Sequence, residues 1–245
     1  MLAYDISFDW FLRISSMALL FVFFAYTLVL SKRAGEAGIG AKKNYFFAFS
    51  FFFLMYAINF LQTELMLAGV YEYPHVIPTT EIDGFGYRLD LGFLTIQPIT
   101  GDIFLFLFFF LGAAPLSFAI EKYLLLHKKT PLTILVSAAA IMNVLLILVF
   151  PLNVPFIHVV VAMDYLAMIA SVLTILIIYL RIAIVSSGKL RGVGFLMFFG
   201  LVLQIAALFL SSMSLGDFFL SGAEVAHLIG LIGFLLIFAS IIQMR

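Results

Sequence analysis

The chain has 245 residues, of which 65% are hydrophobic and 11% charged, and its mean hydropathy is +1.22. A soluble domain is closer to half apolar and a quarter charged, and a chain of this size cannot bury so much apolar surface in one water-soluble core. The formal net charge is zero, and thirteen Lys and Arg residues leave no basic face for nucleic acid. Cysteine is absent from the sequence, which excludes disulfides and thiolate metal ligands. We therefore predict a multi-pass protein of the cell membrane, with the lipid bilayer as its main partner and no nucleic-acid partner.

Seven apolar stretches are long enough to cross a bilayer, which takes about 20 helical residues for about 30 Å of hydrocarbon. They cover about 9–30, 45–69, 102–125, 131–150, 156–180, 191–210 and 218–243. Polar and helix-breaking residues separate them. Thr130-Pro131, for example, predicts an N-cap followed by proline at the first helical position of the fourth span. The prediction is an all-α protein in which residues 1–245 form a single seven-helix transmembrane domain.

The basic residues predict the orientation of these helices. All of them except Arg13 and Arg88 fall in the connections between spans 1–2, 3–4 and 5–6 or at the C-terminal end. Because Lys and Arg accumulate in cytoplasmic connections, we expect the N-terminus outside and the C-terminus inside. Such an arrangement requires an odd number of spans.

One connection, residues 70–101 on the predicted outer side, is much longer than the others. Asp83-Gly84 is a hairpin turn signal, and the segment Tyr87 to Leu91 alternates apolar with charged residues. We expect a small β-hairpin over the mouth of the bundle. This segment is either an ordered loop that shields the helix ends or a lid that controls entry to the bundle.

Polar side chains recur at one depth inside the apolar spans. Ionisable groups at membrane depth cost about 2.5–3.5 kcal/mol each, so they normally face the bundle interior and mark a site. Counting about 1.5 Å per residue from the outer ends puts this set roughly 8–16 Å deep. The candidate ligand-binding residues are Asn59, Gln62, Glu64, Asp164, Gln204, Glu224 and His227, and Asn143 of the fourth span lies at a similar depth. Because the inner half carries a single in-span acid, Glu121, the pattern favours a pocket open to the outer side, formed by spans two, five, six and seven.

Three functions are consistent with this polar layer. The first is a non-enzymatic sensor, receptor-like or small-ligand-binding protein. The second is a structural or accessory subunit of a membrane complex, in which the polar groups are interhelical hydrogen-bond partners worth about 0.6 kcal/mol apiece. The third is a membrane enzyme or metal site that uses Glu224 and His227 together with Glu64 and Asp164. Carboxylates with one deep histidine are a poor zinc set, so we assign no catalytic residue and expect neither metal nor cofactor.

Two resemblances bear on function. Seven spans with the N-terminus outside resemble the layout of microbial rhodopsins, which form a retinal Schiff base on a lysine in the seventh helix. Span seven here, DFFLSGAEVAHLIGLIGFLLIFASIIQM, contains no lysine, so photochemistry is not expected. With Ala119-Ile120-Glu121-Lys122 after span three, the chain also resembles uncharacterised archaeal-type seven-helix proteins and sensor membrane modules. That resemblance implies a sensor-like role and, since the sequence ends at Arg245 next to the membrane, a separate cytoplasmic or membrane signalling partner.

Overall fold

A computed structural model describes most of the chain. The backbone is described over residues 6–67, 89–90, 95–96, 101–126, 130–149, 157–212 and 222–245. Side chains are described over 11–61, 106–126, 130–145, 160, 162–207, 210 and 225–245.

The described fold is a bundle of seven α-helices, as the apolar stretches predict. The helices are α1 (Ile6–Glu36), α2 (Gly40–Leu67), α3 (Gly101–Ala119), α4 (Pro131–Val149), α5 (Ile157–Val185), α6 (Gly188–Ser212) and α7 (Gly222–Gln243). A π-helical turn, Ile120–Leu124, continues α3. Helices α1 and α5 end later than predicted: α1 continues to Glu36, two residues before Gly38, and α5 continues to Val185, three residues before Gly188.

The bundle is built to contact lipid. Within the described residues, six helices are long and apolar enough to cross a bilayer, and the described apolar part of α4, Pro131–Leu145, is shorter. Large apolar side chains point outward, among them Leu166, which is 67% exposed, and Ile134. The protein is therefore a multi-pass helical membrane protein. Seven crossings and the direction of insertion stay predictions.

The helices form a closed arrangement. In it, α1 packs on α2 and α7, α2 packs on α3, α5 packs on α6, and α6 packs on α7. Helix α4 packs on α3 and also contacts α5, and α3 in turn contacts α5. We call one end of the bundle the basic end: it comprises the α1–α2 and α5–α6 connections and the end of α7, where the Lys42 ammonium lies 3.0 Å from the backbone oxygen of Arg245.

Aromatic side chains make many of the contacts in the core. Phe23 of α1 stacks on Phe238 of α7, with ring centroids 3.9 Å apart, and also meets Phe53 of α2 edge-on. Phe106 and Phe110 of α3 are fully buried. Aliphatic side chains such as Leu20 and Ile237 are buried beside these rings, so ring contacts and aliphatic packing together form the interior.

Two local features set the helix ends. After α1, Gly38 has a positive φ of 74°, and the amide of Ile39 donates to the Ala34 carbonyl, which is the glycine-dependent Schellman ending. Helix α4 begins at Pro131, as predicted. Its free amides, however, are bound by the side chain of Glu121 in the π-helical turn, a role that the sequence did not suggest.

Little of the long connection 70–101 is described. Two-residue strands β1 (Leu89–Asp90) and β2 (Thr95–Ile96) pair antiparallel, with Leu89 opposite Ile96. The predicted turn at Asp83-Gly84 lies outside the described residues, so a hairpin at that position stays a prediction.

Candidate functional site

Asp164 lies on the one face of α5 that turns away from lipid. Asp164, Met168, Ser171, Ile175 and Tyr179 are all buried. Their spacing of three or four residues is that of a single helix face. The residues on either side of Asp164 are more accessible, and Met163 is exposed. The carboxyl group is therefore directed into the bundle, as expected of an acid at membrane depth.

The described partner of Asp164 is Asn143 on α4. The Asn143 amide nitrogen Nδ2 donates to Asp164 Oδ2 over 3.0 Å and to the Ala139 carbonyl over 2.9 Å. Asn143 is 0% exposed and Asp164 3% exposed. The pair thus joins α4 to α5 through a desolvated hydrogen bond, which places α4 in the candidate site alongside the helices that the sequence indicated.

This pair has more acceptors than donors. Both hydrogens of an amide NH₂ are used by the two bonds from Asn143 Nδ2. The other atom of that amide, the buried oxygen Oδ1, has no hydrogen-bond partner among the residues the structure describes. An ionised Asp164 carboxylate would add further acceptor positions and a negative charge. The vacant hydrogen-bonding capacity of the pair therefore suits a cation or a group rich in N–H or O–H.

A row of aromatic rings crosses the bundle next to Asp164. It begins at Tyr165, the residue after Asp164, and ends on α7; successive ring centroids lie 4.7 to 6.4 Å apart. The rings are, in order, Tyr165, Phe106, Phe110, Phe109, Tyr56 and Phe234. The polar side chains around Asp164 thus adjoin a packed aromatic interior.

Gln204 belongs to a different contact, between α6 and α7. Its Nε2 donates to the Gly230 carbonyl over 2.6 Å. A Cβ atom at Gly233 would lie 2.9 Å from the same Nε2 and 2.9 Å from the Gly200 carbonyl oxygen. Small residues thus let the two helices approach closely enough for a side-chain-to-backbone bond, a packing device common in membrane bundles.

Asn59 and His227 lie on α2 and α7, and both are partly buried. The His227 imidazole has Phe60 as an aromatic neighbour, with ring centroids 6.5 Å apart. Gln62, Glu64 and Glu224 are in helices, but their side chains lie outside the described residues. Of the seven candidates, Asp164 is thus seen in a polar pair, Gln204 in a helix contact, and Asn59 and His227 at the α2–α7 side.

The described residues contain no cluster of His, Cys, Asp or Glu side chains that could bind a metal ion. Over the part of the chain that was searched, no group of three His, Cys, Asp or Glu residues is close enough to hold an ion. The site suggested by Glu224 and His227 depends in part on side chains outside that region. It stays a prediction.

The sequence places Asn143 at a predicted depth similar to that of the candidate residues, but it does not indicate the hydrogen bond to Asp164. The available signal was the similarity of their distances from the ends of the helices: the two residues lie a similar number of residues from the short connection between two consecutive predicted spans.

No known protein family matches the chain, and no curated protein or solved structure matches it either.

Proposed function

We propose that this chain is a non-enzymatic, receptor-like protein of the cell membrane that binds a small cation at Asp164 and Asn143. The ligand would enter from the end of the bundle that the basic residues predict to be external. The observation that carries the proposal is the buried pair itself: among the described residues, Asn143 Oδ1 has no hydrogen-bond partner, and Asp164 receives one hydrogen bond, from Asn143.

The energetics favour a cation over a neutral or anionic ligand. An ionised carboxylate in a low-dielectric site costs several kcal/mol unless it is paired or hydrogen-bonded. A cation bound between Asp164 and Asn143 Oδ1 would offset that cost and satisfy the oxygen that has no described partner. An anion would instead be repelled by Asp164 and would find both Asn143 hydrogens already in use.

A sensor also needs a route from the ligand to the other side of the membrane. The buried face of α5 runs from Asp164 to Tyr179, and the Tyr179 hydroxyl is hydrogen-bonded to that of Tyr45 on α2. Asp164 and Tyr179 are fifteen residues apart on α5, which corresponds to about 22 Å along the helix axis. We propose that ligand binding between α4 and α5 shifts α5 against α2, and that a separate signalling partner reads the shift at the basic end. The resemblance to sensor membrane modules supports this proposal.

The test is ligand-dependent stability of the whole chain in lipid nanodiscs. Na⁺ and methylammonium are titrated separately at constant ionic strength, and the unfolding temperature is recorded. A probe present at ten times its Kd should stabilise the native chain by about 1.4 kcal/mol. The increment should vanish in Asp164→Asn.

Glu121→Gln is the matched control, because it makes the same carboxyl-to-amide change in a buried acid of a different element, the π-helical turn that follows α3. This variant should keep the full ligand-dependent increment even though its basal stability falls. Absence of stabilisation by both probes, or an equal increment in Asp164→Asn, would contradict the proposal.

A second function, an accessory subunit of a membrane complex, is favoured by a specific observation. Gln204 is engaged with the Gly230 backbone, which is the behaviour of a packing residue. If the whole layer serves packing, Asp164→Asn and Gln204→Leu should both reduce bundle stability without changing any ligand response. The native chain should then co-purify at fixed stoichiometry with other membrane subunits.

A further inference from the structure

Two adjoining cavities open at the basic end of the bundle. Their volumes are about 430 Å³ and 580 Å³, within the range typical of small-molecule sites. They share Lys189, Gln243 and Arg245 in their walls. Residues from α2, the π-helical turn, α6 and α7 together line the first cavity, so it lies where four elements meet.

The side chains that line these cavities include basic ones and no acidic one. Lys42 and Lys189 line the first cavity with Arg245, and no Asp or Glu lines either cavity. Glu121 and Glu36, which the structure describes near this end, do not line either cavity. Glu121 is buried and accepts a hydrogen bond from α4, and Glu36 is exposed at the end of α1. Three positive side chains, from α2, from α6 and from the residues after α7, therefore share one concave site.

Hydrogen-bond donors remain available there. The Lys42 ammonium donates to the Arg245 backbone oxygen and lies 5.8 Å from the centre of the Phe46 ring. An ammonium has three hydrogens, so one hydrogen bond leaves others free. The Tyr123 hydroxyl oxygen accepts from Asn44 Nδ2 over 2.6 Å, which leaves its own O–H to donate into the cavity.

We infer that this cavity binds a phosphate-bearing anion, either the headgroup of an anionic phospholipid or a soluble phosphate ester. Several cations and a hydroxyl donor around one concavity match the multiple charged oxygens of a phosphate group. Basic pockets between membrane helices on the cytoplasmic side are suited to such headgroups. The site is at the opposite end from Asp164, so its test is independent of the proposed cation site.

The experiment compares two sources of phosphate with the full-length chain. In the first arm, native mass spectrometry follows titration with dioleoylphosphatidylglycerol, with zwitterionic dioleoylphosphatidylcholine as the reference lipid. In the second arm, calorimetry follows glycerol 3-phosphate added to the chain in phosphatidylcholine nanodiscs. Saturable one-to-one binding in the first arm assigns the site to lipid, and binding in the second assigns it to a soluble ester.

Each arm is repeated with Lys189→Gln, Lys42→Gln and a matched control, Lys32→Gln. Lys189 and Lys32 are both exposed at the basic end, but Lys32 lines neither cavity. A basic residue near an anionic headgroup contributes enough that its loss should weaken binding about fivefold. The control should change the affinity less than twofold.

Two results would overturn the inference. One is the lack of saturable binding in both arms, with phosphatidylglycerol bound no better than phosphatidylcholine. The other is equal weakening by Lys32→Gln and Lys189→Gln, which would show that the general positive potential of this face, and not the cavity, attracts the anion.

Discussion

Removal of the Glu121 carboxylate should destabilise the bundle, because that side chain caps α4 from a neighbouring element. The first amides of a helix have no partner within the helix. Here Pro131 has no N–H, Leu132 and Thr133 donate to Glu121, and Ile134 donates to the Thr130 carbonyl over 3.0 Å. Every free amide of the first turn is thus accounted for, and two of them depend on Glu121.

The magnitude follows from the three hydrogen bonds that Glu121 receives. Oε1 accepts from the Leu132 amide over 2.8 Å, and Oε2 accepts from the Thr133 amide and hydroxyl over 2.9 and 2.6 Å. At a net value of about 1 kcal/mol for each bond, Glu121→Ala should lower the free energy of unfolding by about 3 kcal/mol. Thr133→Val removes the hydroxyl bond alone and should cost about 1 kcal/mol.

Reversible unfolding in dodecylmaltoside micelles with increasing SDS, followed by circular dichroism, measures these differences. Glu36→Ala is the matched control, because Glu36 is an exposed acid at the end of α1 and a surface change of this kind should stay within about 0.5 kcal/mol. If Glu121→Ala costs no more than Glu36→Ala, or if Thr133→Val costs as much as Glu121→Ala, the capping argument is wrong.

The same unfolding assay checks three further expectations. Gly194→Ala should cost about 1–3 kcal/mol because its Cβ would lie 2.6 Å from the backbone nitrogen of Ala183, whereas Gly40→Ala, with open space around it, should not destabilise through a clash. Tyr179→Phe should cost about 1–2 kcal/mol by leaving the buried Tyr45 hydroxyl without its partner; a further change of Tyr45 to Phe that lowers stability by the same amount again would contradict this reason. Gln204→Leu should cost only about 0.6 kcal/mol, and a loss of several kcal/mol would refute its interpretation as a simple interhelical bond.

The sequence gives the position of each polar residue along its helix, but it does not give the partner of that residue. Residue count gives position along a helix, because each residue advances the axis by about 1.5 Å. It does not give rotation about that axis or the choice of neighbouring helix. The bond of Asp164 to Asn143 and the separate bond of Gln204 to Gly230 therefore emerged only from packing.

For a related reason, the sequence does not show which face of each helix points into the bundle. In a soluble helix an apolar stripe marks the core, but here the surrounding lipid is as apolar as the interior. Leu166 is 67% exposed and Phe106 is 0% exposed, although both are large apolar residues within membrane helices. Hydrophobic periodicity consequently carries little information about which side of a helix is buried.

Composition and apolar length by themselves determined that the chain is a helical membrane protein, because only lipid can surround so many apolar residues and a helix satisfies its own backbone there. Proline and polar breaks determined where α4 begins and where α5 gives way to α6. Tertiary structure alone decided that Glu121 caps α4, that α4 joins α5 through Asn143 and that basic residues of α2, of α6 and of the segment after α7 share a cavity. These features join residues far apart in sequence, and such contacts depend on the relative rotation and neighbourhood of helices that are individually apolar on every side.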